Sequence, residues 1–137
     1  MPENYSESQD SIEIITQVNF TKKDLKWFGY SETWDSEQEQ YIHQIYLLLK
    51  NGMPISGCTI CEFDGLRIIF NLYTDKDERN KGYATKIIQR VCEDSKSYLV
   101  LARSVNQDVI DLFKKCGFKT LHRNSSNCEI LGNCLYE

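Results

Sequence analysis

Apolar and polar positions alternate from Ile12 to Val18, with Ile12, Ile14, Thr16 and Val18 set against Glu13, Ile15 and Gln17. That pattern predicts a first strand with one mainly apolar face. Thr21 followed by Asp24 has the form of a capping box and predicts a short helix through Leu25 and Phe28. Ser36 and Glu39 repeat the signal for a second short helix ending near His43. From Gln44 the chain turns continuously apolar, breaks at Asn51-Gly52, resumes at Ile55, breaks at Asp64-Gly65 and resumes at Leu66. Asn-Gly and Asp-Gly between apolar runs are strong hairpin signals, so three antiparallel strands follow one another. A helix through Leu47 to Lys50 is the competing reading.

The period then lengthens. Ala84, Ile87, Ile88, Val91 and Cys92 share one helical face, with Lys86, Gln89, Arg90 and Glu93 outside. Residues 98–102 read as a buried strand. Asn106 can cap a further helix with the inner stripe Val109, Leu112, Phe113 and Cys116, which Gly117 ends. Residues 118–123, a turn at 124–127 and residues 128–136 form a last hairpin. The predicted order is β-α-α-β-β-β-α-β-α-β-β, with a right-handed parallel crossover over 66–102.

At 137 residues the chain fits one domain, placed at 11–137, with residues 1–10 as a disordered lead-in. No apolar stretch approaches the roughly 20 residues that span a bilayer, and the polar, acidic start is unlike a signal peptide. A cytoplasmic location without membrane attachment is expected. The net charge of −4 argues against a nucleic-acid partner. Six cysteines invite a metal reading, but Cys58 and Cys61 are three apart on a strand and so face opposite ways. They read as reduced packing residues, and no metal is expected. His43 and His122 stand at no ligand spacing.

Chemistry concentrates where a strand ends at Leu72, Tyr73 and Thr74, a polar loop carries Arg79, Asn80, Lys81 and Gly82, and a helix opens at Tyr83, Ala84 and Thr85. A helix N-terminus offers unpaired N–H groups and partial positive charge to an anionic diphosphate. Gly82 permits close backbone approach, and Ala84 keeps the helix near its strand. Arg-x-x-Gly-x-Ala alone is equally compatible with a solvated charged loop.

Together with the downstream run from Asn106 to Phe118, ending Leu-Phe-Lys-Lys-Cys-Gly-Phe, this segment resembles the GNAT superfamily of N-acetyltransferases. The resemblance is specific from about Leu66 to Phe118. It implies an α/β (α+β) fold: a mixed, mostly antiparallel twisted sheet whose central parallel pair splays for acyl-CoA, flanked by about four helices. It also implies transfer of the acetyl group of acetyl-CoA to a primary amine (a protein lysine or N-terminus, or a small amine) by direct attack in a ternary complex. The backbone from Arg79 through Ala84, with the Thr85 hydroxyl, would hold the pyrophosphate. Leu72, Tyr73 and Thr74 would pair with the pantetheine arm and polarise the thioester carbonyl. Asn106 would meet the pantetheine or acetyl region or serve only as a helix cap, and Phe113 would lie beside the acetyl arm.

Such chemistry must deprotonate an amine, costing about 4–5 kcal/mol at pH 7 for a lysine-like group, and expel a thiolate, costing about 2 kcal/mol. Here the chain departs from the family. Phe113 occupies the position of the acid tyrosine in many members, so Phe113→Tyr is expected to preserve activity and supply an acid. The position of a catalytic glutamate in some members is apolar, near Ile68 and Phe70. Ser104, Cys116, Tyr83 and Glu62 are conceivable stand-ins, and none is assigned. Tyr30, Glu32, Trp34 and Asp35 could receive a cationic acceptor. A GNAT-fold module that binds acyl-CoA or a protein without efficient turnover is the alternative, and a homodimer stays open.

Overall fold

A computed structural model describes residues 10–21, 24, 27, 41–96 and 98–133. Seven strands form one sheet: β1 (Ile12–Gln17), β2 (Gln44–Lys50), β3 (Met53–Phe63), β4 (Leu66–Thr74), β5 (Leu99–Ser104), β6 (Phe118–Arg123) and β7 (Glu129–Asn133). Their spatial order is β1-β2-β3-β4-β5-β7-β6. The β4–β5 pair is parallel and the other five pairs are antiparallel. Among the described residues the sheet is therefore the mixed one expected, with its single parallel pair at the centre.

Two α-helices lie among the described residues, α1 (Tyr83–Asp94) and α2 (Gln107–Lys115). The two helices expected earlier fall mostly outside the described residues, although the first begins as its sequence implies. The Thr21 N–H donates to Asp24 Oδ2 at 2.9 Å and the Asp24 N–H to Thr21 Oγ1 at 3.4 Å, the reciprocal bonds of a capping box. Residues 41–43, where the second was expected to end, are not helical.

Residues 47–50 lie on β2, so the competing helical reading of that run fails. Local chemistry explains the hairpin. Asn51 and Gly52 both take positive φ, 53° and 82°, as do Asp64 and Gly65 at 39° and 84°. These are turns whose twist matches that of the flanking strands.

Both helices cover the same face of the sheet. Ile87, Ile88 and Val91 of α1 and Ile110 and Phe113 of α2 join Leu48, Cys58, Ile60, Ile69, Val100 and Leu131 in one core. Burying each such aliphatic side chain is worth about 1.5–3 kcal/mol. Ile42, Ile45 and Leu47 form a second cluster with Ile15, Phe20, Trp27 and Tyr73. The C-terminal end of α1 is tied down by polar bonds: the Tyr46 hydroxyl donates to Asp94 Oδ2 at 2.9 Å, and Arg67 donates to Ser95 Oγ at 2.8 Å. With that end fixed, the N-terminal end of α1 is held at the C-terminal ends of β4 and β5.

Candidate active site

The parallel ladder between β4 and β5 runs from Leu66–Leu99 to Ile69–Ala102 and stops. Both strands continue, β4 to Thr74 and β5 to Ser104, without pairing with each other. Where they part, β4 carries a bulge. Gly57 pairs with Tyr73 and Thr59 with Phe70, so Cys58 alone faces Asn71 and Leu72. Asn71 sits at φ 57°, in the left-handed region that asparagine tolerates better than most residues.

A cavity of about 940 Å³ adjoins the gap. Leu72, Tyr73 and Thr74 of β4, then Arg79, Asn80, Gly82, Tyr83, Ala84 and Thr85, line one side, and Asn106 stands at the other. Ten of the twelve expected cofactor-binding residues thus share this cavity.

The loop into α1 is built to present backbone. Asn80 and Gly82 are both left-handed, at φ 64° and 84°, so the chain turns sharply twice before α1 begins. Gly82 is the N-cap residue and contributes no capping side chain. The Lys86 N–H reaches the Gly82 carbonyl at 3.1 Å, while the amides of Tyr83, Ala84 and Thr85 precede the first intrahelical donor.

Charges around the loop are mostly committed. Glu78 binds Lys50 at 3.1 Å and Lys81 at 3.3 Å, and the Lys50 bond comes first among the causes that hold its carboxyl below the usual range. Lys81 thereby faces Glu78 and does not line the cavity. Arg79 Nε donates to the Thr74 carbonyl at 2.9 Å, and its guanidinium lies 5.8 Å from the centre of the Tyr73 ring. That ring meets Trp27 edge-on at 5.3 Å. Burial pushes the Asp75 carboxyl up, and its neighbours Glu78 and Asp77 push it further.

Asn106 does what its position before a helix predicts. Its Oδ1 accepts the N–H of Asp108 at 2.9 Å and of Val109 at 3.2 Å. It caps α2 while also lining the cavity.

Phe113, expected beside the acetyl arm, is placed elsewhere. It is 2% exposed, meets Phe118 edge-on at 5.0 Å and belongs to the core, with no part in the cavity wall. The physical reason is the stripe on α2, where Ile110 and Phe113 are the buried positions that face the sheet.

Of the conceivable acid or base groups, Tyr83 alone lines the cavity. Ser104 Oγ accepts the Asn106 N–H at 3.0 Å. Cys116 packs against the core, its thiol pushed up by burial. Glu62 accepts the Tyr98 hydroxyl at 2.7 Å and stands opposite Arg67 in the β3–β4 register, several residues along the ladder from the bulge. Phe70 lines a separate cavity of about 130 Å³ with Tyr41, Ile42, Cys61, Phe63 and Asn71. Tyr30, Glu32, Trp34 and Asp35 lie outside the described residues. His43 accepts the Glu62 N–H at 3.1 Å, and His122 is exposed on β6.

Asp108, Asp111, Leu112 and Lys115 also line the cavity and were not foreseen. Their spacing puts them along one stripe of α2, a signal that marks a face but not what the face meets. Among the described residues no group of three or more His, Cys, Asp or Glu is placed to hold a metal ion. The five described cysteines are free, with Cys58 in the main core and Cys61 on the opposite face at the smaller cavity.

A family model described as the acetyltransferase (GNAT) family matches residues 11–118. The chain belongs to the GNAT family. Similar solved structures share the GNAT fold across most of both chains. A GNAT family acetyltransferase from Elizabethkingia anophelis with acetyl-CoA bound has a TM-score of 0.73 at 14% identity, covering 88% of this chain and 96% of that one. The PaiA N-acetyltransferase of Thermoplasma acidophilum, in complex with coenzyme A, has a TM-score of 0.68 at 14% identity over 90% and 98%. The ribosomal-protein-S18-alanine N-acetyltransferase of Escherichia coli has a TM-score of 0.68 at 11% identity over 88% and 92%. At these identities the likeness concerns the GNAT fold alone. No curated protein matches the chain. No helix among the described residues is long and apolar enough to cross a membrane.

Proposed function

We propose that this protein is an N-acetyltransferase that takes the acetyl group of acetyl-CoA and passes it to a primary amine, as one domain over residues 11–137 acting in the cytoplasm. The observation that carries the reading is the cavity joining the unpaired edge of β4 at Leu72–Thr74 to the amides that open α1 at Tyr83, Ala84 and Thr85. An extended thioester arm fits the first as an added strand, and a diphosphate fits the second. Leu72 to Thr74 present main-chain groups to the arm and to the developing oxyanion. Gly82 and its neighbours hold the diphosphate, and Arg79, fixed by Thr74 and Tyr73, supplies positive charge at the entrance.

Proton handling is less demanding on the thiolate side, because a thiol is only moderately hard to ionise near neutral pH. Tyr83 lines the cavity at the end where α1 opens, beside the diphosphate site, and no side chain of the wall is assigned that donation. Phe113 carries no hydroxyl at the position of the acid tyrosine in many family members, and the glutamate position near Ile68 and Phe70 is apolar, which favours a second reading, a module that binds acyl-CoA without efficient turnover. Calorimetry with acetyl-CoA, followed by mass spectrometry of a mixed amine library incubated with protein and acetyl-CoA, decides between them. Saturable binding with acetylated products supports the enzyme, and binding without products supports the module. No heat at millimolar acetyl-CoA defeats both.

A further inference from the structure

The bulge in β4 creates a local problem that two buried residues of β3 resolve. An extra residue in one strand interrupts the ladder and leaves main-chain groups without their regular cross-strand partners. Thr59 and Ser56 flank the bulge on the adjacent strand, and neither has any exposed surface. Thr59 Oγ1 donates to the Phe70 carbonyl at 3.2 Å, just before the bulge. Ser56 Oγ donates to the Tyr73 carbonyl at 3.2 Å, just after it, and lies 2.8 Å from Thr74 Oγ1. Asn71, the left-handed residue within the bulge, sends its Nδ2 to Thr59 Oγ1 at 3.0 Å. Thr59 Oγ1 thus accepts from Asn71 and donates to Phe70, which links the bulge to β3 through one hydroxyl.

The clasp coincides with the last β4–β5 pair. Ile69 is the final β4 residue paired with β5, Phe70 is the residue bonded by Thr59, and Leu72 is the first residue to line the large cavity. We propose that Thr59 and Asn71 are positioning residues: their clasp holds the bulge in one conformation and so fixes where the main chain at Leu72 points relative to a thioester carbonyl in the slot. The inference rests on the acetyl-CoA reading above. Thr59 reaches the slot only through Asn71 and Phe70 and does not line the cavity. Loss of its hydroxyl removes the acceptor of the half-buried Asn71 amide and the side-chain donor to the Phe70 carbonyl, and the bulge then relaxes.

The test reads carbonyl polarisation directly and needs no acceptor amine. Isotope-edited infrared difference spectra of [1-13C]acetyl-CoA, free and bound, report how strongly main-chain donors pull on the thioester carbonyl. Calorimetry with CoA, which lacks the acyl group, reports the diphosphate site separately. The wild type is expected to bind acetyl-CoA and shift the carbonyl to lower frequency. Thr59→Val, nearly isosteric, is expected to lose about half of that shift or more while CoA affinity stays within about 2-fold. Thr59→Ser, which keeps the hydroxyl, restores the shift. Asn71→Gly keeps the left-handed backbone accessible, removes the amide and should reproduce the valine result.

Wild-type protein that binds neither ligand defeats the functional reading and this one with it. Wild-type protein that binds with an unshifted carbonyl, or variants that keep the full shift, overturn the clasp alone. A parallel fall in CoA affinity, carbonyl shift and melting temperature in both variants would make Thr59 a merely structural residue and also overturns it.

Discussion

At the scale of single residues, Gly82 and Phe113 show how a motif letter acquires or loses meaning in three dimensions. A Cβ built on Gly82 meets nothing within 4 Å, so space is no obstacle, but φ is 84°. Asparagine and aspartate tolerate that conformation about equally, as Asn80 does at 64°. Comparing Gly82→Asn with Gly82→Asp therefore isolates charge from strain. Calorimetry should show a modest loss of acetyl-CoA affinity for the asparagine variant and about 100-fold or more for the aspartate, from an anion placed beside the diphosphate. Equal losses would put the diphosphate elsewhere.

Phe113 runs the other way. Its ring lies in the core against Phe118, so the hydroxyl of Phe113→Tyr enters apolar packing instead of the cavity. The variant should lose about 1–3 kcal/mol of stability, measured as a lower denaturant midpoint, and gain no acid limb in its pH–rate profile. A stable variant with a new limb would show that the tyrosine reaches the thioester after all. The sequence could identify Phe113 as a stripe position; it could not say whether the sheet or the slot would receive the ring.

Elements were legible wherever local chemistry closes on itself. The Asn51-Gly52 and Asp64-Gly65 turns, the Thr21–Asp24 box and the Asn106 cap all form between residues a few positions apart, so their signals survive without tertiary help. Asn106→Ala should cost about 1 kcal/mol through α2, since a cap accepting two amides is lost. Asn106→Asp keeps the acceptor and should keep stability. If it also keeps acetyl-CoA affinity, Asn106 acts as a cap alone; if affinity falls at unchanged stability, its amide touches the cofactor. The bulge in β4 was not legible, because Thr59 and Asn71 are twelve positions apart and meet only once β3 and β4 pair. The same holds for Asp108, Asp111 and Lys115, whose stripe has a recognisable period and an unrecognisable neighbour.

At the scale of the whole molecule, two buried titrating groups bound the pH range of the fold. Glu129 accepts bonds from Arg123 and, at 2.8 Å, from Thr120, with Lys114 3.8 Å away. The Arg123 bond is the first cause of a carboxyl held below its ordinary value of 4.5. A depressed folded value contributes stability that is present above the unfolded pKa and lost as pH falls through the folded one. Tyr46 is pushed up from 10.0 to about 12, first by burial and then by its bond to Asp94. A raised value contributes stability that is present below pH 10.0 and lost as pH climbs toward about 12. Melting temperature against pH should therefore fall at both ends. Glu129→Gln should flatten the acid limb and Tyr46→Phe the alkaline one, and an unchanged limb in either variant would assign it to another group.

The sequence by itself determined the order of the seven strands and of the two helices among the described residues, the tight turns, the caps and the loop that opens α1. Each of these is set by side-chain period or by backbone preference over a few residues. Tertiary structure decided that β4 and β5 part after Ile69 and Ala102, that Phe113 belongs to the core and that Lys81 is held by Glu78. It also brought Thr59 to the bulge. Those outcomes depend on which distant groups share a face or an edge after the sheet closes, and no local pattern of residues encodes a distance between strands.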